Sequence, residues 1–137
     1  MAVTMVLTLP GDIHAPSHAR CLVDLLLSRF NVSSDCRDEL GLMITEACAN
    51  AVSHARPAGD IDLHVSVGEY ECVIDVGNDG TLCDARLPAD PPDPLAEGGR
   101  GLSIISALAD ATRIVNERSG RVVLRMVKRI VWNPEQR

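Results

Sequence analysis

The sequence predicts an α+β fold, a two-layer α/β sandwich whose mixed sheet is mainly antiparallel and carries its helices on one face. Three features lead there. An opening aliphatic run is followed by two stretches with apolar residues every three to four positions. Later stretches alternate with period two. Two pairs of these are joined by turns of a few residues, too short for the crossover that a parallel pair requires. The predicted order is β-α-α-β-β-loop-α-β-β.

Val3 to Leu9 is aliphatic and β-branched and stops at Pro10-Gly11, a strand and a turn. Pro16 opens a helix whose predicted buried face is Ala19, Val23, Leu26 and Phe30, with Leu22 and Leu25 beside it. Ser33 and Ser34 offer an N-cap for a second helix, and Asp35, Asp38 and Glu39 complement its positive end. Its core stripe is Leu40, Met43, Ile44, Ala47 and Ala51, and Arg56-Pro57-Ala58-Gly59 ends it.

Ile61, Leu63, Val65 and Val67 then alternate with polar residues, and after Gly68 to Tyr70 the strand Cys72, Ile74, Val76 returns antiparallel. The loop from Asn78 to Gly99 holds four of the eight prolines. Loops of that length inside compact domains are usually functional or disordered. Leu102 to Asp110 reads as a helix, Thr112 to Glu117 as a strand and Ser119-Gly120 as a tight turn. In the last strand Val122, Leu124, Met126 and Ile130 face one way. Arg121, Arg125 and Arg129 face the other, opposite Asp60, Asp62, Glu71 or Asp75.

Composition narrows the functional classes. The 137 residues suit one domain, expected to span residues 1–137. With Phe30, Tyr70 and Trp132 the only aromatics, base stacking on exposed rings is not the mode of action. A formal charge of −6 argues against a general polyanion binder, so no direct nucleic-acid partner is expected. The charge is uneven, with seven basic and two acidic residues between Arg113 and Arg137. Five cysteines without CxxC spacing suggest neither a disulfide framework nor a metal site. The first residues lack a signal-peptide pattern and no stretch is long enough to span a bilayer, so a cytoplasmic protein without membrane contact is expected.

The chemistry lies in three places. Glu46 and Asn50 are four apart on the second helix and project from one face, with His54 one turn further. Alone, that pair is an ordinary solvated helix face. Ala47, Cys48, Ala49 and Ala51 around it, however, let another element or a ligand approach closely. Gly98-Gly99-Arg100-Gly101 stands directly before a helix, where free N–H groups and the helix dipole favour an anion. Asn78-Asp79-Gly80 ends a strand, and by itself is an ordinary turn. The joint order is what distinguishes the set: helical Glu-x-x-x-Asn, strand-end Asn-Asp-Gly, long loop, then Gly-x-Gly before a helix.

That arrangement resembles the GHKL superfamily of gyrase, mismatch-repair ATPases and histidine kinases, whose histidine-kinase-like ATPase domain has a Bergerat-type sandwich. Ile44-Thr45-Glu46-Ala47-Cys48-Ala49-Asn50-Ala51-Val52-Ser53-His54-Ala55 and Glu97-Gly98-Gly99-Arg100-Gly101-Leu102-Ser103-Ile104-Ile105-Ser106-Ala107-Leu108-Ala109-Asp110 are similar to the segments of the anti-sigma-factor serine kinases in particular. The resemblance runs from the first strand to Lys128. It implies ATP and Mg²⁺ as cofactors, Glu46 as general base, and Asn50 as the ligand holding Mg²⁺ against the phosphates. It also places His54, Asn78, Asp79, Gly80, Gly99, Arg100, Gly101 and Leu102 around the nucleotide, and Arg20 at a protein-partner surface. The loop from Cys83 to Gly98 becomes, by the same resemblance, a lid ordered by bound nucleotide.

Two departures stand out. Most of the family carries Asp where this chain has Asn78, so restoring Asp there is expected to tighten Mg·ATP binding. The family's threonine after the glycine of the last turn is replaced by Arg121-Val122, a second change expected on the adenine side. The function implied is an ATP- and Mg²⁺-dependent protein serine/threonine kinase acting as an anti-sigma factor. Its expected partners are a sigma factor, an anti-sigma-factor antagonist that it phosphorylates, and a second copy of itself. The alternative is a non-catalytic protein-binding module of the same fold with weak or lost nucleotide binding, which the two departures favour and intact Glu46, Asn50 and glycine box oppose.

Overall fold

The computed structural model describes residues 2–54, 59–79, 100–117 and 120–134. In chain order these form β1 (Val3–Leu9), α1 (Ala15–Arg29), α2 (Ser34–His54), β2 (Ile61–Val67), β3 (Glu71–Asp79), α3 (Arg100–Leu108), β4 (Ala111–Asn116) and β5 (Arg121–Arg129). The sheet order is β1-β2-β3-β5-β4, with each pairing antiparallel. The predicted two-layer α+β sandwich is therefore the observed one, with an antiparallel sheet throughout.

Period-two patterning sets the two faces of the sheet. The row Leu7, Leu63, Val76, Leu124 and Ile114 runs across all five strands on the helix-covered side. Below it α2 contributes Leu40, Met43 and Ile44, each 0% exposed. Full burial of such side chains contributes about 1.5–3 kcal/mol each, so this seam is the main stabilising element of the fold.

Local signals place the helices. Ser33 Oγ accepts the Cys36 N–H at 3.3 Å and caps α2. Helix α1 closes at Asn31, whose φ of +65° is the left-handed conformation that asparagine tolerates at a helix C-terminus. The α1 stripe differs from the predicted one. Ala15, Ala19, Val23 and Leu27 are buried, while Leu22 and Leu25 are 40% and 58% exposed and Phe30 lies at the cap. The buried stripe thus starts on the small residues Ala15 and Ala19, and Leu22 and Leu25 lie outside it. Helix α3 is held at its C-terminus by Lys128 of β5, whose Nζ donates to the Leu108 carbonyl at 2.8 Å and pairs with Glu39 of α2 at 2.6 Å.

On the sheet's outer face the arginines meet acids, as the alternation predicted. Arg125 grips Asp75 with two bonds of 2.8 Å, and Arg121 pairs with Asp62. Arg129 stands opposite Glu71 in the register.

Candidate functional site

Helix α2, the start of α3 and the end of β3 converge on one corner of the helical layer. Ala47, Cys48 and Ala51 turn into the core, which leaves Glu46 and Asn50 half-buried on the adjoining face. Glu46 meets Gly101 of α3 directly: a β-carbon at position 101 would stand 2.8 Å from Glu46 Oε2. The glycine of the Gly-x-Gly pair is thus the clearance that admits the carboxylate beside the helix N-terminus. Leu102, 8% exposed, packs into the core and anchors that N-terminus.

Asn78 comes in from β3, which runs two residues further than the predicted strand and so holds Asn78 and Asp79 in the sheet rather than in a loop. Asn78 is 7% exposed, and its Nδ2 donates to the Ala51 carbonyl of α2 at 3.2 Å. Glu46 and Gly101 therefore meet, and Asn78 reaches α2 at Ala51, the residue that follows Asn50. His54 ends α2, Asp79 ends β3 and Arg100 opens α3. Gly80, Gly99 and the predicted lid from Cys83 to Gly98 lie outside the described residues. Arg20 is exposed on α1, and its stem rests on α2: Cγ and Nε stand 3.5 and 3.1 Å from where a β-carbon on Gly41 would be.

One feature was invisible in the sequence: the Ala51 carbonyl, which takes up the Asn78 amide. Arg121 points where the alternation of the last strand put it, and that separates it from its neighbour Val122. The sequence placed Arg121-Val122 on the adenine side, but only Val122, 8% exposed and opposite Asn78 in the register, faces inward. Arg121 lies on the outer face, crossing Gly77 of β3 to reach Asp62 of β2. Strand alternation places Arg121 on that face and so takes it out of the inner site.

Charge and burial limit the chemistry further. Burial pushes the Cys48 thiol, between Glu46 and Asn50, up to about 12, so it stays protonated and does not act as nucleophile or metal ligand at neutral pH. Among the described residues no group of three or more His, Cys, Asp or Glu side chains could hold a metal ion. Half-buried Asn50 would offer one amide oxygen, the kind of ligand that magnesium takes while keeping most of its waters. A cavity of about 210 Å³ lined by Asp62, His64, Asp75 and Arg121 lies on the sheet's outer face, on the far side from Glu46, and is not part of this site.

Residues 11–128 match the family described as the histidine kinase-like ATPase domain. The chain belongs to that family. The domain is an ATP-using one, which suits the anion-favouring start of α3 beside Glu46. The chain is 28% identical over 109 residues to the serine-protein kinase RsbW of Bacillus subtilis, covering 71% of this chain and 68% of that protein. It is 29% identical over 135 residues to RsbW of Halalkalibacterium halodurans, covering 91% and 82%. The crystal structure of the RsbU and RsbW domains of a Mycobacterium tuberculosis protein aligns with a TM-score of 0.71 at 18% identity over 93% of this chain, which spans 32% of that longer chain. That of the SiaB-SiaC complex from Pseudomonas aeruginosa gives 0.64 at 15% identity, covering 92% and 89%. At those identities the two structures establish the shared fold. No described helix of the ATPase-family chain is long and apolar enough to cross a membrane.

Proposed function

We propose that this chain is an ATP- and Mg²⁺-dependent protein serine/threonine kinase that acts as an anti-sigma factor in a partner-switching system. The observation that carries the reading is the seat of Glu46 against Gly101, which sets a carboxylate at the N-terminus of α3, where the dipole favours phosphate. Glu46 there accepts the proton of a substrate hydroxyl as that oxygen attacks phosphorus. Asn50, one helical turn away, offers its amide oxygen to Mg²⁺, which neutralises phosphate charge when bound. Asn78 presents an uncharged acceptor from the strand end.

The relatives named serine-protein kinase RsbW support protein serine as the acceptor. The substrate is an anti-sigma-factor antagonist; once phosphorylated it releases the kinase to hold the sigma factor inactive. Arg20, exposed and propped on Gly41, is the contact for these protein partners. A homodimer fits the same scheme, since β1 is an edge strand with Leu22 and Leu25 exposed on the adjacent helix. Such a regulator of transcription works in the cytoplasm, and residues 1–137 act as one domain. A non-catalytic protein-binding module is the second reading, favoured by Asn78 in place of Asp. Calorimetric titration with Mg·ATP, followed by phosphate transfer to the cognate antagonist, separates the two. Binding and transfer establish the kinase, whereas no heat at millimolar nucleotide overturns it.

A further inference from the structure

Asn78 is the buried polar side chain of the described core, and the bond that it donates to a described residue crosses between layers, from β3 to the Ala51 carbonyl at 3.2 Å. Ala51 lies in the last turn of α2, which ends at His54. Carbonyls in a last helical turn run out of intrahelical donors and take partners from elsewhere. Ala51 also directly follows Asn50, so the bond grips the backbone beside the residue assigned to the metal. The opposite amide rotamer would set Oδ1 against the Ala51 oxygen, acceptor against acceptor in a buried place, so the orientation is fixed.

We propose that Asn78 is a positioning residue: its amide N–H ties the last turn of α2, and with it Asn50, to the end of β3, and the tie leaves Oδ1 as its acceptor toward ligand. The consequence for Asn50 rests on the kinase reading above; the tie itself does not. It reverses the expectation drawn from sequence that Asn78→Asp tightens nucleotide binding. A carboxylate at 78 would have no proton to give Ala51 and would be buried against an oxygen. Only its protonated form can donate, so the Asp variant's pKa is raised in the fold. Its stability is present below the ordinary carboxylate pKa and is lost as pH rises through the raised value.

The test begins with the full chain free of nucleotide. Hydrogen exchange at pH 7 in residues 47–54 is expected to quicken at least tenfold in Asn78→Asp and Asn78→Ala, with β2 unchanged. The urea midpoint of Asn78→Asp is expected to approach wild type as pH falls from 7 to 5, and that of Asn78→Ala to keep a constant offset. Asn78→Ser, which keeps a donor in a smaller side chain, serves where either variant fails to fold, and is expected to show intermediate exchange. Exchange equal to wild type in the last turn of α2, or an Asn78→Asp midpoint parallel to wild type at every pH, overturns the proposal. Titration with ADP with and without Mg²⁺ then reads the link to Asn50. Magnesium's enhancement of affinity is expected to shrink about tenfold in Asn78→Asp while magnesium-free affinity holds, and an unchanged enhancement overturns the link. Absence of any nucleotide binding by wild type overturns the kinase reading and leaves the exchange result to judge the tie.

Discussion

Gly101 stands so close to Glu46 that a β-carbon on it would come within 2.8 Å of Oε2. The atom it would meet is the mobile end of a side chain, so Gly101→Ala should fold with the carboxylate pushed aside. Replacing glycine by alanine inside a helix contributes about 1 kcal/mol or less toward stability, which offsets the crowding. Phosphate transfer is expected to fall by roughly 10- to 100-fold with the melting temperature nearly unchanged, since displacing a catalytic group by about 1 Å costs on that order. Single-turnover transfer beside a thermal melt checks both, and transfer at the wild-type rate rejects Glu46 as a group needing that clearance.

Glu46→Gln should abolish transfer and leave Mg·ATP affinity within about twofold, because a general base acts on the transition state and adds little to ground-state binding. Asn50→Ala should do the reverse, weakening nucleotide binding and making it insensitive to Mg²⁺. Calorimetry of the two variants tells them apart. Transfer by Glu46→Gln at the wild-type rate would show the base assignment to be wrong.

The outer-face arginines give a graded stability series. A β-carbon on Gly77 would stand 2.8 Å from Arg121 Nη2, so Gly77→Ala should displace the guanidinium from Asp62. Arg125→Glu removes the two bonds to Asp75 and sets like charges together, on side chains 52% and 23% exposed. Exposed pairs contribute only about 0.2–1 kcal/mol, so each variant should lower the urea midpoint slightly and leave partner affinity intact. A large loss of partner binding at unchanged stability would mark this face as an interaction surface.

Burial sets the thiol chemistry. Cys48 and Cys72 are pushed up to about 12 from 9.0, both by burial, with the Cys36 charge adding at Cys72. The folded state therefore retains protons that the unfolded chain releases, and stability is present below pH 9 and lost progressively as pH rises toward 12. In a Cys83→Ser background at pH 8, exposed Cys21 should react with a thiol reagent at once and Cys48 and Cys72 only on unfolding. Equal rates at all positions would contradict the buried placement.

Much of this protein was legible in its residues. Strand alternation in Ile61–Val67 and Arg121–Arg129 gave the sheet its two faces, because a period of two leaves each side chain one choice of side. The Glu46–Asn50 spacing put both on one helical face, and the small residues around them, Ala47, Cys48, Ala49 and Ala51, marked a face that another element can approach closely. Helix α1 was read less well: several apolar residues permit more than one buried stripe, and only the seating of Ala15 and Ala19 chose among them.

What the sequence determined by itself was the layer order, the polar sheet face and the shared helical face of Glu46 and Asn50, since each follows from local periodicity. Three choices were decided by tertiary structure. Glu46 meets Gly101, Arg121 crosses Gly77 to take Asp62 among the acids that the alternation offered it, and the Asn78 amide finds the Ala51 carbonyl. Each joins residues on different elements, at distances fixed by how close two backbones come. No spacing along the chain encodes that separation; packing of the core sets it.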